Sequence, residues 1–258
     1  MKCHDPAIDD LFLLLSPLVR SKVCPDLNQF DGRITAHQYR KICDLCHREV
    51  PPESKVLDWG CGNGHFSFFL ALSGHRVTSF SFDEKPCALE HLGGVNAQPL
   101  IFVKGSSNEP TRLPFNEETF DAVFSIGVLE HVKETDGDDE ASLKEIHRIL
   151  KRGGLFICCH LPNKYSFIEA LSRYAWSPSG HFHKYRYTRK GIASLCAAAK
   201  MDLLGCKRYG ILPRNICSRS PSFIKDNLTL TICFDAMDDL LGTILSPIAQ
   251  NYYFWARK

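Results

Sequence analysis

The chain has 258 residues, of which 44% are hydrophobic and 23% charged, and its formal net charge is +2. This composition is typical of a globular domain rather than a disordered chain, and the small net charge argues against a nucleic-acid footprint spread over the surface. No apolar run reaches the roughly 18 residues that a spanning helix needs, and acids rather than basic residues precede the apolar stretch 11–19. We therefore expect a cytoplasmic protein with no transmembrane segment and no nucleic-acid partner.

The twelve cysteines are scattered along the chain. Without an export signal, we expect them to be reduced and to pack as small apolar side chains. Cys43, Cys46 and His47 match the Cys-x-x-Cys-His pattern of haem attachment, but the surrounding residues have the spacing of an ordinary helix. A zinc site would need two more ligands at suitable spacing, and no second pair matches. No metal is expected.

Residues 1–50 are expected to form an N-terminal helical extension. The stretch 11–19 has the pattern of a short helix. Thr35 is a candidate N-cap for a second helix, which runs to Glu49 and is ended by a Pro-Pro pair.

A glycine-rich stretch follows the first predicted strand. Val56 and Leu57 belong to an apolar run that predicts a buried strand, and Gly60, Gly62 and Gly64 then force a tight turn before residues at helical spacing. Glycines let the backbone approach a ligand closely, and the first N–H groups of a helix lack intrahelical partners. Strand, turn and helix start together predict a nucleotide site. The alternative is a glycine turn that binds nothing.

The glycine spacing separates two ligand classes. It is Gly-x-Gly-x-Gly, not the Gly-x-Gly-x-x-Gly that seats a dinucleotide pyrophosphate. Asp58 precedes the first glycine by two residues; it would repel a pyrophosphate, but it could orient backbone amides or meet the cationic end of a ligand. The stretch resembles the first motif of class I S-adenosylmethionine-dependent methyltransferases, in the type 11 group. The resemblance implies S-adenosylmethionine as cofactor, bound by Asp58, Gly60, Cys61, Gly62 and Gly64.

The resemblance also implies the fold. We expect an α/β fold: a doubly wound, seven-stranded Rossmann-like sheet with an antiparallel last strand, N-terminal helices and a C-terminal insertion. Residues 51–209 and 251–258 would form the sheet domain, and residues 210–250 an insertion or cap.

The end of the second predicted strand, residues 76–82, departs from the family pattern. The family usually has an acid there that bonds both ribose hydroxyls, whereas this chain has Ser81, which cannot hold a diol as a carboxylate does. Asp83 either takes that role or caps a helix expected near Lys85. The resemblance places Phe82 beside the same ligand.

A second acid is missing after the third predicted strand, residues 100–103. The family commonly has an Asp there that contacts the adenine amino group, and this chain has Ser106 followed by Ser107. We assign both serines to the cofactor site by resemblance.

Residues 113–125 resemble the family's approach to its fourth strand. The next segment, Gly-Val-Leu-Glu-His-Val at 127–132, resembles the one that closes over the methionine side of the ligand. The resemblance implies that Gly127, Leu129 and His131 line the cofactor pocket. A helix over 141–150, a Gly-Gly turn and a buried strand over 155–161 follow.

Beyond this strand the resemblance weakens, and the acceptor site is expected here. Residues 163–176 predict a lid-like amphipathic helix, and His181 and His183 lie in a segment that alternates basic and aromatic residues. That segment is either an exposed edge or one wall of the acceptor pocket. Thr188 is a candidate N-cap for the following helix.

The last two predicted strands, 201–209 and 251–257, would pair antiparallel. The insertion between them contains a helix with apolar residues at helical spacing, which most often means packing. It could be a substrate cap, a dimer contact or a peripheral membrane contact. The sequence carries no indication of an oligomeric state.

The predicted reaction is methyl transfer to a small-molecule or lipid-linked acceptor, at an oxygen nucleophile. Histidines titrate near neutral pH, which makes His131, His181 and His183 the candidate catalytic bases. A non-catalytic methyltransferase-like partner subunit is the alternative, because Ser81 and Ser106 replace acids. A NAD-dependent oxidoreductase is disfavoured by the glycine spacing.

Overall fold

The computed structural model describes residues 6–92, 100–106, 109–135, 137–175 and 183–258. Seven strands form one sheet in the order β3-β2-β1-β4-β5-β7-β6. They are β1 (Lys55–Trp59), β2 (Arg76–Ser81), β3 (Leu100–Lys104), β4 (Phe120–Ile126), β5 (Leu150–Pro162), β6 (Asp202–Tyr209) and β7 (Asn251–Arg257). β1 to β5 pair in parallel, and β7 is antiparallel to both β5 and β6. The expected doubly wound sheet with an antiparallel last strand is confirmed.

Helices cover both faces of the sheet. They are α1 (Pro6–Arg20), α2 (Arg33–Ala36), α3 (Arg40–Glu49), α4 (His65–Leu72), α5 (Cys87–Leu92), α6 (Leu129–Val132), α7 (Asp139–Ile149), α8 (Phe167–Ala175), α9 (Arg189–Ala198), α10 (Ser222–Lys225) and α11 (Leu228–Ile244). Short 3-10 turns occur at Asn28–Phe30, His37–Tyr39, Lys133–Thr135, Arg214–Arg219 and Ser246–Ile248. Among the described helices, none combines the length and the apolar composition that a bilayer crossing requires.

Alternating side chains of the central strands build two cores. Val56 and Phe124 pack with α1, α3 and α4 on one face, whereas Leu57 and Val123 pack with α7 and α9 on the other. Strands buried on both faces read as nearly continuous apolar runs, which is why the sequence pattern located them. The carboxyl ends of the parallel strands meet at one edge, where ligands bind in open α/β sheets.

The helix expected from Thr35 to Glu49 is broken in two. α2 begins at Arg33 with Gly32 in the N-cap position, and a 3-10 turn separates it from α3. The Thr35 hydroxyl donates to the Gly32 carbonyl at 2.8 Å instead of accepting from a helix N–H. Thr35 therefore lies inside α2 and caps nothing, which corrects the prediction.

Two later boundaries also differ from the prediction. α5 begins at Cys87, so Asp83 lies before the helix and does not cap it. β5 begins at Leu150 and includes the glycine pair 153–154, which was expected to form a turn. The strand is irregular there: its register against β4 shifts between Phe120 and Ala122, and Gly153 has a φ of 77°. Thr188 does cap α9, since its hydroxyl accepts from the Gly191 N–H at 3.1 Å.

The cysteines are not all reduced. Cys24 and Cys87 form a disulfide, with their Cα atoms 5.9 Å apart and a separation of 63 positions in the sequence. Nine other described cysteines are free, and six of these are buried. The two cysteines meet because the loop after α1 lies against the start of α5. Residues so far apart in the sequence form no local sequence pattern from which this disulfide could be predicted.

The helix α11 of the insertion buries charged residues and exposes apolar ones. Asp235 is buried and accepts from His37 Nδ1 at 2.7 Å, while the Arg40 guanidinium lies 3.1 Å away and that of Arg214 also pairs with it. Asp238, also buried, accepts two backbone N–H groups at the start of the insertion. These bonds hold α11 against α2 and α3.

The pKa values of Asp235 and His37 depend on each other and on the charges of Arg40 and Arg214. Burial opposes the negative charge of Asp235, but the His37 hydrogen bond and the Arg214 and Arg40 charges outweigh it and lower the pKa of Asp235. Burial lowers the pKa of His37, and the two arginines add to this effect against the pull of Asp235. Asp235 is thus an anion shared by three donors.

We predict that Asp235→Ala destabilises the protein by about 3–5 kcal/mol, because it leaves buried cations without their acceptor. Urea unfolding followed by circular dichroism measures this. Asp239→Ala is the control: Asp239 also pairs with Arg40 but is 34% exposed, so its loss should cost roughly 0–1 kcal/mol.

The contribution of Asp235 to the free energy of unfolding should be complete above the unfolded aspartate pKa of about 3.9. It should vanish as pH falls through the lower pKa that Asp235 has in the folded protein. Equal losses in the two variants would contradict this account.

Candidate functional site

The glycine turn is held by the strand beside it. The N–H groups of Gly60 and Cys61 both donate to the Phe80 carbonyl at 2.9 Å, and Gly64 N–H donates to the Cys61 carbonyl at 2.8 Å. Gly60, Gly62 and Gly64 have φ values of 75°, 48° and 80°, a region that side chains disfavour. The turn thus needs glycine at all three positions for its backbone alone.

The three glycines have different neighbours. A Cβ at Gly60 would lie 2.5 Å from the Val128 side chain, and one at Gly64 would lie 2.7 Å from that of Leu89, so both glycines allow close packing of the protein itself. A Cβ at Gly62 would meet no atom within 4 Å. Gly62 is therefore the glycine that leaves space for a ligand.

A cavity of about 470 Å³, here called the glycine-turn cavity, opens above the turn. Of the predicted cofactor residues, those that line it are Gly60, Gly62, Ser81, Phe82, Asp83, Gly127 and His131. Pro110 and Thr111 line it as well and were not predicted. Its volume is in the range of small-molecule and cofactor sites.

Five other described residues that were predicted to bind the cofactor do not line this cavity: Asp58, Cys61, Gly64, Ser106 and Leu129. The side chain of Leu129, the first residue of α6, is fully buried in the core. Cys61 is buried, and Gly64 packs against Leu89. Ser106 is exposed after β3 and is not part of the cavity lining. Ser107 lies outside the described residues.

Asp58 orients the helix rather than facing the cavity. Its carboxylate accepts from the Ser67 hydroxyl of α4 at 2.6 Å, and Ser67 accepts from the Ser79 hydroxyl of β2 at 2.7 Å. Burial raises the pKa of Asp58 to about 6, although the Ser67 bond opposes the shift. Asp58 thus joins β1, α4 and β2 beneath the turn.

At the end of β2 the carboxylate of Asp83 accompanies the Ser81 hydroxyl. Ser81 Oγ accepts from the Asp83 N–H at 3.1 Å and lies 3.5 Å from Asp83 Oδ2. Both residues line the glycine-turn cavity. The side chain of Asp83 is therefore placed to supply the acid that the sequence pattern lacks at position 81.

A second and larger cavity, about 740 Å³, lies beside the first and is here called the C-terminal cavity. The insertion, α8, the end of β5 and the segment 37–41 surround it. Glu130 and His183 line it, whereas the neighbouring His131 lines the glycine-turn cavity. Residues 130 and 131 therefore form the boundary between the two cavities.

His160 at the end of β5 is a site residue that sequence reasoning missed. It has a φ of 64°; its Nδ1 lies 2.9 Å from the Tyr209 hydroxyl, which accepts from the His160 N–H at 3.1 Å. Its Nε2 is enclosed and has no hydrogen-bond partner among the described residues. Burial lowers the pKa of His160 to about 4, so the ring is neutral at neutral pH. Its place at the carboxyl end of a parallel strand was the only available signal.

Tyr39 and His65 lie next to His160. The Tyr39 ring centroid is 4.6 Å from that of His65 and 5.3 Å from that of His160. Burial, with the nearby His160, lowers the pKa of His65 to about 3, and neither ring nitrogen of His65 has a partner among the described residues. Buried polar atoms without partners point to a bound polar group.

His131 and His183, two of the predicted catalytic residues, lie together with their ring centroids 5.4 Å apart. Glu134 links the segments that carry these two histidines. Its carboxylate lies 2.7 Å from His131 Nδ1 and accepts a hydrogen bond from the N–H of Lys184, next to His183, at 3.0 Å. The His131 bond and the Lys184 N–H lower the pKa of Glu134. The third predicted catalytic residue, His181, lies outside the described residues.

Glu130 is buried at this boundary. It is 2% exposed, and its Oε2 has no partner among the described residues. Burial, with a smaller contribution from the Glu134 charge, raises the pKa of Glu130 to about 8. A buried carboxyl group with an oxygen that makes no hydrogen bond is unusual in a protein unless it interacts with a ligand or takes part in the function.

Residues 57–158 match a family model described as a methyltransferase domain. An eEF1A lysine and N-terminal methyltransferase homolog from Drosophila pseudoobscura pseudoobscura is 29% identical over 129 residues, which is 48% of this chain and 19% of that protein. An uncharacterized methyltransferase from Synechocystis sp. is 32% identical over 125 residues, 48% of this chain and 55% of that protein. The matched stretches thus cover about a fifth and about half of these relatives.

A solved structure with the same fold is 1,6-didemethyltoxoflavin-N1-methyltransferase from Burkholderia thailandensis, which contains 1,6-didemethyltoxoflavin and S-adenosylhomocysteine. It aligns with a TM-score of 0.55 at 20% identity, covering 85% of this chain and 77% of that one. At this identity the similarity shows the fold.

We predict that Gly62→Val lowers the affinity for S-adenosylmethionine at least tenfold, because its side chain fills open space in the glycine-turn cavity. Gly74→Val is the matched control: Gly74 has a φ of 83°, also has no atom within 4 Å of a Cβ, and is not among the cavity residues. Both variants place a valine at a positive φ. Calorimetric titration should therefore separate them, and equal affinities would remove Gly62 from the site.

We also predict that Asp83→Asn weakens S-adenosylmethionine binding about tenfold, or roughly 1.4 kcal/mol, because a carboxylate accepts two hydroxyls better than an amide does. Glu84→Gln removes a neighbouring charge that is 85% exposed and does not line the cavity, so its affinity should stay unchanged. If both variants bind like the natural protein, Asp83 does not act at the ribose.

Proposed function

We propose that this chain is an S-adenosylmethionine-dependent methyltransferase, that its acceptor is a small molecule, and that this acceptor is lipid-linked. The premise is that residues 57–158 match the family model of a methyltransferase domain. The observation that carries the proposal is the pair of adjoining cavities. S-adenosylmethionine would occupy the glycine-turn cavity and the acceptor the C-terminal cavity. The methyl would cross at Glu130 and His131, which form the boundary between them.

The chemistry needs alignment more than acid–base assistance. A lone pair on the acceptor oxygen forms the new C–O bond while the C–S bond breaks, and its electrons stay with S-adenosylhomocysteine. The sulfonium already makes the methyl electrophilic, so the protein mainly orients the reactants and excludes water. The acceptor hydroxyl loses one proton, for which the unprotonated ring of His160 is the candidate acceptor in the C-terminal cavity.

The surface around the C-terminal cavity supports an apolar acceptor. The insertion presents large apolar side chains to solvent from the 3-10 turn at Ile216, from α10 and from one face of α11. The residues are Ile216, Phe223, Met237, Leu240 and Ile244, which are 50–76% exposed. Ile216 also lines the cavity. On α8, Phe167 and Leu171 are exposed while Ile168 lines the cavity. An exposed apolar surface on the elements that border the cavity fits a peripheral membrane contact that delivers a lipid-linked acceptor.

Asp83 bears on the alternative of a non-catalytic partner subunit. That alternative rested on the serines at 81 and 106 in place of acids. Since the Asp83 carboxylate lies beside Ser81 in the cavity lining, the chain still offers an acid for the ribose. The methyltransferase family match disfavours the NAD-dependent oxidoreductase.

The proposal is tested with methyl-labelled S-adenosylmethionine and an extract separated into aqueous small molecules, organic-phase lipids and protein. We expect label in the organic phase, and only background label with Gly62→Val. Label confined to the protein fraction would instead assign a protein acceptor, as named for the eEF1A relatives.

The role of the apolar surface is tested in the same assay. Ile244→Asp should lower labelling of the organic phase severalfold because a charge on this face opposes membrane contact. Thr243→Asp adds the same charge at a neighbouring exposed position that is already polar, and should have little effect. Equal labelling by the two variants would exclude the membrane contact.

A further inference from the structure

Glu130, His131 and His183 bring three metal-ligating atoms together at the boundary of the two cavities. One ligand atom from each residue lies within 4.8 Å of the other two. His183 comes from a segment about 50 residues after the other two, so the fold and not the sequence spacing makes the cluster. We propose that these three side chains bind one divalent transition-metal cation.

The spacing of the three atoms is close to what a cation requires. Nitrogen and oxygen ligands lie about 2.0–2.2 Å from a zinc-like ion, which sets neighbouring ligand atoms about 3–4 Å apart. Two imidazoles and one carboxylate are the ligands of zinc, iron, manganese or cobalt rather than of magnesium or calcium.

The buried carboxyl group of Glu130 points independently to a ligand. Its side chain lines the C-terminal cavity and is 2% exposed, and Oε2 has no hydrogen-bond partner among the described residues. A buried carboxyl oxygen without a partner is costly, and a coordinated cation removes that cost.

Glu134 orients the imidazole of His131 and fixes the backbone beside His183. Its carboxylate holds His131 through Nδ1, which turns the other ring nitrogen, Nε2, away from Glu134. The same carboxylate accepts from the Lys184 N–H and so fixes the backbone next to His183. Metal-binding histidines usually have such a carboxylate on the second ring nitrogen.

The position of the cluster suggests what the cation does. Glu130 and His183 line the C-terminal cavity, and three protein ligands leave coordination positions open toward it. An acceptor bearing a hydroxyl, or two adjacent oxygens, would occupy these positions. A bound cation lowers the pKa of a coordinated hydroxyl and places the oxygen next to the methyl. This role rests on the proposed methyl transfer, whereas cation binding itself does not.

The test uses the full chain after treatment with a chelator, titrated with Co²⁺ alone and followed by visible absorption and calorimetry. We expect one equivalent of Co²⁺ with ligand-field bands. His183→Ala and Glu130→Gln should each weaken binding at least tenfold, and Glu134→Gln about tenfold through its effect on His131. His147→Ala and Glu140→Gln, a histidine and a carboxylate outside the cluster, should bind Co²⁺ like the natural protein.

Failure to bind one equivalent, or equal affinity in the cluster variants and the controls, would overturn the metal site. Titration of the chelator-treated protein with S-adenosylmethionine separates the two proposals. Cofactor binding without Co²⁺ binding leaves the methyltransferase function standing and removes the metal. Co²⁺ binding without cofactor binding leaves the metal site standing and removes the methyltransferase function. Circular dichroism melting of each variant confirms that the comparison is between folded proteins.

Discussion

The site depends on one carbonyl group, that of Phe80, which accepts two consecutive N–H groups from the glycine turn. These bonds tie the end of β1 to the end of β2 and leave the start of α4 above the sheet. The turn can accept this geometry only because glycines occupy its left-handed positions. The glycine-turn cavity above the turn, the place of Asp83 beside it and the direction of α4 all follow from this arrangement. Asp58 and Ser67 support it from below.

Much of the sheet and of the glycine-turn cavity was predictable from the sequence, because both leave local patterns. Continuous apolar runs marked the central strands, and the glycine spacing marked the turn. The burial of the Leu129 side chain was not predicted, because a motif gives positions but not the direction in which a short helix turns its side chains. Glu130, one residue further, faces the C-terminal cavity instead. His160 and Tyr209 come together across two strand pairs, and no local pattern records such a contact.

The insertion shows a different limit of sequence reasoning. Apolar residues at helical spacing in α11 favoured a packed face, yet Met237, Leu240 and Ile244 are exposed. The buried face belongs to Thr231, Asp235 and Asp238. The opposing helices present His37 and Arg40, and the insertion itself adds Arg214, so that an acidic face is the one they can bind. Helical periodicity identifies two faces, but the charges of distant segments decide which one is buried.

The place of β7 inside the sheet has a consequence for how the molecule is assembled. β6 pairs with no strand other than β7 among the described residues, and β7 follows it by about 40 residues. During synthesis β6 therefore stays without a neighbour, and one side of β5 stays open, until the last strand inserts between them. Such late, distant pairing slows folding and exposes strand edges in the meantime. Tyr209 reaches His160 only when β7 has inserted between β6 and β5. This wall of the C-terminal cavity therefore forms after the strands that carry the glycine turn are already in place.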